Sequence, residues 1–211
     1  MLKSIKKNRK NNLAGFTLVE ALVAISILMI AIASPMTLAQ KGLSTATLSK
    51  DQMIASFLAQ DAIESVKNIR DQTAVSQSLP ANWLSGGSTG PSLSNCICNS
   101  DDSCNFDSPS RSYCIIDTTA SRWNSTSITK PSDLNNPSKL KVSYDDLSKK
   151  FLKYDYNETS ADSIFTRYIN IRQSSSNPNE AVVKVRVSWN SPQGIQNMDI
   201  EDFIYNYSEN L

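Results

Sequence analysis

The chain of 211 residues contains no histidine. This absence removes the commonest general base, the commonest zinc ligand and every nucleophile that needs a histidine partner. Carboxylates or a lysine would have to carry any catalysis, and the sequence shows no convergent set of acid, base and nucleophile. We therefore predict that the protein is not an enzyme and that it uses no cofactor and no metal.

The chain also lacks an excess of charge of either sign, since its formal net charge is +1. That balance argues against a chain-wide basic field for nucleic acid and against an acidic, disordered chain. It hides a local asymmetry, because residues 1–15 carry five basic side chains and no acid, against 16 basic and 20 acidic side chains elsewhere. A short basic start of this kind is typical of a leader rather than of a folded core.

An apolar segment follows the basic start. Residues 16–39 hold one charged side chain, Glu20, and residues 21–33 are almost purely apolar. As a helix this segment would extend about 36 Å, which is enough to cross a bilayer core of roughly 30 Å. Basic side chains precede the segment and only Lys41 follows it closely. The positive-inside rule therefore places the N-terminus in the cytoplasm and the bulk of the chain outside.

Two ordinary interpretations of this segment are a plain membrane anchor and a secretory signal peptide, for which Ala31-Ile32-Ala33 offers a cleavage site. Neither explains Glu20, because an unpaired carboxylate in an apolar segment is costly and is a functional hypothesis by default. A carboxylate that simply extends toward the lipid headgroups is a further alternative. It accounts neither for Gly15 nor for the spacing from Gly15 to Glu20.

The residues around this carboxylate resemble a known motif. Gly15-Phe16-Thr17-Leu18-Val19-Glu20, followed by Ala21-Leu22-Val23-Ala24-Ile25, is similar to the cleavage and methylation motif of type IV pilins and type II secretion pseudopilins. The resemblance implies cleavage between Gly15 and Phe16 by prepilin peptidase, and methylation of the new Phe16 amine. It also implies that Glu20 pairs with the Phe16 ammonium of a neighbouring subunit during assembly.

The physical chemistry of the segment is compatible with that implied role. A carboxylate in hydrocarbon gains most from a cation that another helix brings, because the alternative is unpaired burial. Four residues of helix also place Glu20 about 6 Å along the axis from its own Phe16 amine, so a pair within one chain would compete.

The resemblance also implies partners and a location. The partners would be prepilin peptidase, other pilin or pseudopilin subunits, an inner-membrane assembly platform and membrane lipid, and we do not expect nucleic acid. The protein would cross the cell membrane once, with a cytoplasmic N-terminus and an extracytoplasmic head, before it enters a cell-surface pilus or a periplasmic pseudopilus. The continuation Ala21–Ala24 and the large, loop-rich head are similar to minor pilins and minor pseudopilins, which favours a minor structural subunit.

Two alternative functions stay open. One is an adhesive or DNA-binding module associated with a filament, and the other is a secreted protein directed by a signal peptide. DNA capture requires a basic stripe with exposed aromatic side chains. The only candidate cations for it are Lys139, Lys141, Lys149, Lys150 and Lys153.

Helical periodicity continues beyond the apolar segment. The 3-and-4 spacing of apolar residues predicts that residues 40–73 form the amphipathic half of one long helix, which ends near Asp71–Thr73. Pro35 and Gly42 are the predicted weak points of this helix. The apolar positions of the amphipathic half are Ile54, Phe57, Leu58, Ala62, Val66 and Ile69.

All the cysteines lie in one stretch, residues 96–114, of a loop-rich region that we assign to residues 74–160. Outside the cytoplasm, an even and clustered set predicts two disulfides. We expect Cys96 and Cys98 to pair with Cys104 and Cys114, in an order that the sequence leaves open. The spacing does not match the usual pairs of a four-thiolate zinc site. Asp101, Asp102 and Asp107 lie nearby, and we interpret them as solvated loop charges rather than calcium ligands.

The last part of the chain, residues 161–211, has the clearest strand patterns. Three strand-like runs with short connections between them predict an antiparallel meander. They are residues 165–173, 181–189 and 195–207. The third run changes phase, which predicts a bulge or break near Glu201-Asp202. We interpret the aromatic side chains of this region as packing on the sheet rather than as a sugar-binding surface. These are Tyr168, Trp189, Phe203 and Tyr205.

Together these patterns predict an α+β, pilin-like fold. A basic leader, residues 1–15, would be removed on maturation. A long N-terminal helix would cross the membrane with its first half, residues 16–39, and would pack its second half on a C-terminal antiparallel sheet head that carries a disulfide loop.

Overall fold

The computed structural model describes residues 15–76, 83–84, 92–118, 128–130, 138–145, 147–156 and 160–207. The chain divides into two compact units, Met1–Thr47 and Leu48–Leu211. The architecture is α+β, as predicted, with one long helix and an antiparallel sheet.

Helix α1 spans Leu18–Ser76 and runs unbroken through Pro35 and Gly42. In the first unit its apolar side chains are exposed, including Leu22 at 58% and Ile30 at 69%. Among the described residues, α1 is the one helix that is long and apolar enough to cross a membrane, by length and composition alone. It ends at Ser76, beyond the predicted Asp71–Thr73.

The second part of α1 packs on the sheet through a face rich in alanine. Leu58, Ala62, Val66 and Ile69 are buried, as the periodicity predicted. Phe57 is 64% exposed, so its assignment to this face is wrong. At 3.6 residues per turn its direction differs by about 160° from that of Ala55, which is buried at the centre of the face.

The main sheet has five antiparallel strands in the order β4-β3-β5-β6-β7. The central meander is formed by β5 (Ala161–Gln173), β6 (Glu180–Ser191) and β7 (Gly194–Tyr205). Strands β3 (Lys139–Tyr144) and β4 (Phe151–Asp155) extend it at one edge. These two strands lie in the region that the sequence analysis assigned as loop-rich, because serine, aspartate and lysine interrupt their apolar pattern.

Strand β7 contains no bulge, and that prediction is wrong. Its register with β6 is constant from Glu180 opposite Tyr205 to Ser191 opposite Gly194. The inward positions of β7 include Ile204, which is buried, and Asp202, whose carboxylate accepts a hydrogen bond from Lys67 of α1 at 2.6 Å. This ion pair allows a charged residue at an inward position, which is why the sequence pattern looked like a change of phase.

The cysteines form two disulfides, Cys96–Cys114 and Cys98–Cys104. They belong to a segment with a 3-10 turn (Leu93–Cys96), a short helix α2 (Asp101–Cys104) and a two-stranded sheet of β1 (Ile115–Ile116) and β2 (Ile128–Thr129). Strand β3 pairs with β5 only as far as Thr166. Beyond that point the disulfide segment occupies the same edge of β5, with Cys114 opposite Ile169 and Ile97 opposite Ile171.

One charged side chain lies inside the core between α1, β5 and the disulfide segment. Arg167 of β5 is 1% exposed. Its guanidinium donates to the carbonyl of Leu58 at 3.0 Å, to the carbonyl of Ile116 at 2.8 Å and to the carboxylate of Asp61 at 3.0 Å. Arg167 therefore connects three separate segments of the second unit through one rigid group.

Candidate functional site

The segment that carries the sequence motif begins before the helix. Gly15, Phe16 and Thr17 are not helical, and Phe16 is 70% exposed. Within the described residues, a Cβ atom placed on Gly15 would meet no atom within 4 Å apart from its chain neighbours, and only Gly194 and Lys149 have a positive φ. Neither packing nor backbone conformation therefore requires glycine at position 15.

Thr17 caps the helix at its N-terminus. The Glu20 amide donates to the Thr17 hydroxyl oxygen at 3.3 Å, and the Ala21 amide donates to the Thr17 carbonyl at 3.1 Å. These bonds satisfy N–H groups that a helix leaves open in its first turn. This role was not predicted from the sequence, although Thr17-x-x-Glu20 has the spacing of a capping box.

Glu20 lies in the first turn of α1, where the partial positive charge of the helix N-terminus favours a carboxylate. The side chain is exposed, and within the described residues its carboxylate has no ion pair. The apolar stretch that follows keeps its few hydroxyl groups bonded to its own backbone. The hydroxyls of Ser26 and Thr37 donate to the carbonyls of Leu22 and Ser34, both at 2.8 Å. A helix that satisfies its polar groups internally is compatible with a hydrocarbon environment.

The aspartates beside the cysteines have separate partners. Asp101 pairs with Arg172 at 2.5 Å and Asp107 pairs with Arg186 at 2.5 Å. Asp102 accepts hydrogen bonds from the hydroxyls of Ser108 and Ser110, and these bonds lower the pKa of its carboxyl group. Among the described residues, no group of three or more acidic or cysteine side chains is placed to hold a metal ion.

The five lysines considered as a basic stripe lie on or beside the β3–β4 hairpin, but two of them are neutralised. Lys141 pairs with Asp162 at 2.6 Å and Lys153 lies 3.4 Å from Asp155. The other three lysines make no ion pair within the described residues. They do not form a continuous stripe, because Lys139 lies at the start of β3, whereas Lys149 and Lys150 lie in the turn before β4.

The aromatic side chains divide between packing and exposure. Trp189 is 3% exposed and its ring packs against Phe165, while Tyr168 packs edge-on against Tyr113. Phe203 and Tyr205 are 52% and 42% exposed, because they lie on the outward positions of β7. The prediction of sheet packing is thus confirmed for Trp189 and Tyr168 and is wrong for Phe203 and Tyr205.

Comparison with known proteins identifies the N-terminal segment. Residues 10–34 match the family model described as the prokaryotic N-terminal methylation motif, which is the type IV pilin and pseudopilin signature. No curated protein and no solved structure matches the chain. The matched motif occurs in structural subunits, and it implies processing by prepilin peptidase, membrane anchoring through the apolar helix and assembly with other pilin subunits.

Proposed function

We propose that the protein is a structural subunit, of the minor type, of a type IV pilus or a related pseudopilus. In this proposal prepilin peptidase cleaves between Gly15 and Phe16, the new Phe16 amine is methylated, and the subunit enters a filament through α1. The observation that carries the proposal is the methylation motif at a junction that is exposed and non-helical. Within the described residues nothing requires glycine at position 15, which is compatible with its recognition by a peptidase.

Glu20 acts in this proposal after cleavage. Within the described residues its carboxylate is unpaired, and it lies one turn from the position where the cut creates an ammonium group. In a filament the apolar part of α1 is surrounded by other helices, so the carboxylate is removed from water. The Phe16 ammonium of a neighbouring subunit then compensates a charge that would otherwise be buried alone.

The location follows from the same segment. Before assembly, the apolar part of α1 anchors the subunit in the cell membrane, with the leader in the cytoplasm and the disulfide-bonded head outside. An inner-membrane assembly platform then extracts it into a surface pilus or a periplasmic pseudopilus.

The test is the mature N-terminus, determined by mass spectrometry after expression in a bacterium that has a prepilin peptidase. We expect an N-methylated Phe16, and Gly15→Val should leave the chain uncleaved because the peptidase no longer accepts the junction. The matched control is Gly42→Val, at another open glycine of the same segment, which should be processed normally. A mature chain that begins at Ser34 would identify a signal peptidase and contradict the proposal.

The role of Glu20 has a separate readout. Glu20→Gln should be cleaved like the parent but should be absent from sheared filaments. The control is Glu64→Gln, an exposed carboxylate further along the same helix, which should enter filaments. Normal incorporation of Glu20→Gln would refute its pairing role and leave the cleavage result unaffected.

A further inference from the structure

A cavity lies on the outward face of the main sheet, opposite the face that α1 covers. Its volume is about 390 Å³, within the range of small-ligand sites. The disulfide segment forms one wall through Phe106 and Asp107, and the sheet forms the floor.

The floor is a row of polar side chains that crosses four strands. Lys139 of β3 lies opposite Thr166 of β5, Thr166 lies opposite Ser188 of β6, and Ser188 lies opposite Asn197 of β7. All four residues line the cavity. At about 4.8 Å between strands, the row is about 14 Å long.

Several hydrogen-bonding groups in this row are unused. The Ser188 hydroxyl donates to Oδ1 of Asn197 at 2.6 Å, which orients the Asn197 amide and leaves its N–H donors available. Within the described residues, neither the Thr166 hydroxyl nor the Lys139 ammonium makes a hydrogen bond or an ion pair, although the charge of Lys139 acts through space on Asp162, whose carboxylate pairs with Lys141. The row therefore offers hydroxyl and amide groups along its length and a single unpaired cation at one end.

Apolar and aromatic side chains border the row on both sides. Ile164 and Ile195 are 47% and 72% exposed, and they flank it on one side. On the other side Tyr168 packs against Phe106, with ring centroids 5.9 Å apart. Arg186 lies beside Tyr168, but it pairs with Asp107 and Asp199 and stacks over Phe106, so it holds the wall in place rather than offering a free charge.

We propose that this cavity binds an acidic oligosaccharide, with a carboxylate on Lys139 and sugar hydroxyls on Thr166, Ser188 and Asn197. The polar row matches a hydroxyl-rich ligand, and its apolar borders match the C–H faces of sugar rings. Arg111 also lines the cavity, and its guanidinium donates to the carbonyl of Ser108 at 3.1 Å. A nucleic acid is a poorer fit, because its phosphates require several cations, and the cavity lining holds only Lys139 and Arg111 besides the ion-paired Arg186. The site is independent of the N-terminal motif, and it goes beyond the proposed filament role.

The test uses the full-length protein in detergent on an array of uronic- and sialic-acid oligosaccharides, their neutral counterparts and single-stranded DNA. We expect binding to acidic members and not to the neutral ones. For the best-bound member, Lys139→Gln should weaken binding about tenfold or more, as expected for loss of a hydrogen bond to a charged group. Asn197→Ala should weaken it severalfold. Lys130→Gln removes the same charge from an exposed position that does not line the cavity, and it should bind like the parent.

Several outcomes would overturn the proposal. These are no binding to any acidic member, equal binding to the neutral members, or unchanged binding of both cavity variants. An equal loss for Lys130→Gln and Lys139→Gln would identify non-specific charge attraction. Binding to DNA alone, sensitive to Lys139→Gln, would make the cavity a nucleic-acid site. All these outcomes are independent of whether Phe16 is the mature N-terminus.

Discussion

Removal of the Arg167 side chain tests how the helix is held on the sheet. In Arg167→Ala, the buried carbonyl of Ile116 loses its 2.8 Å bond and the carbonyl of Leu58 loses its 3.0 Å bond. The two losses are unequal, because Leu58 lies within α1, where its carbonyl also accepts from the helix backbone. The bond to Asp61 contributes least, since that carboxylate is 49% exposed and solvent screens the pair.

The expected magnitude follows from these unequal contributions. Loss of a hydrogen bond to a charged donor costs about 1.5–3 kcal/mol, and truncation in the core leaves a cavity. Part of this free-energy loss is offset, because within the described residues the buried Nε of Arg167 makes no hydrogen bond and its desolvation is uncompensated. We expect the free energy of unfolding to fall by about 3–5 kcal/mol, the sum of the lost hydrogen bonds from a charged donor and of the cavity, less this offset. Arg167→Met should lose less, because the methionine fills most of the space.

The assay is urea unfolding of residues 48–211, which form the second compact unit, followed by far-UV circular dichroism. The matched control is Arg172→Ala on the same strand. The side chain of Arg172 is 56% exposed, and that of its ion-pair partner Asp101 is 94% exposed. That variant should change the free energy of unfolding by less than about 1 kcal/mol. Equal losses for the two alanine variants would refute the reasoning that burial makes Arg167 important.

Two further predictions concern the head. The Cys96–Cys114 disulfide closes a loop of 18 residues and the Cys98–Cys104 disulfide a loop of 6. Replacing both cysteines of a disulfide by serine should therefore lower the free energy of unfolding by about 3 kcal/mol for the first and about 2 kcal/mol for the second, by the chain-entropy relation. Chemical unfolding of each variant checks this order, and a larger loss for the shorter loop would contradict it. The hydrogen bond from Lys67 lowers the pKa of the Asp202 carboxyl group. The pair therefore stabilises the fold fully at pH values above the ordinary aspartate pKa of about 3.9. This stabilisation is lost as the pH falls through the lowered pKa. Unfolding of Asp202→Asn across this pH range should show a weaker acid dependence than the parent, and identical pH profiles would show that the pair contributes nothing.

Local patterns predicted the parts of the fold that depend on neighbouring residues in the chain. The apolar segment, the amphipathic half of α1 and the alternation in β5 and β6 are visible because each pattern repeats within one element. Periodicity alone gave the wrong orientation for Phe57 and Asp202. The apolar Phe57 points away from the sheet, and the charged Asp202 lies at an inward position because Lys67 of another element pairs with it.

The candidate sites divide in the same way. The methylation motif is contiguous in the sequence, so its recognition by a processing enzyme can be inferred from the residues alone. The cavity on the outward face could not be inferred, because Lys139, Thr166, Ser188 and Asn197 become neighbours only through the register of four strands. The burial of Arg167 was equally invisible, since its partners lie 51 to 109 positions away in the chain.

By itself, then, the sequence determined the pilin-type N-terminal signature, the membrane-compatible helix and the presence of two disulfides, because each rests on residue types and short spacings. Tertiary structure decided which cysteines pair, that β3 and β4 join the sheet and that one arginine connects helix, sheet and disulfide segment. These outcomes depend on contacts between distant segments, whose free energies are set by burial and register rather than by any local pattern. The methylation motif at residues 10–34 needs no such contacts, and for that reason it is recognisable from the sequence alone.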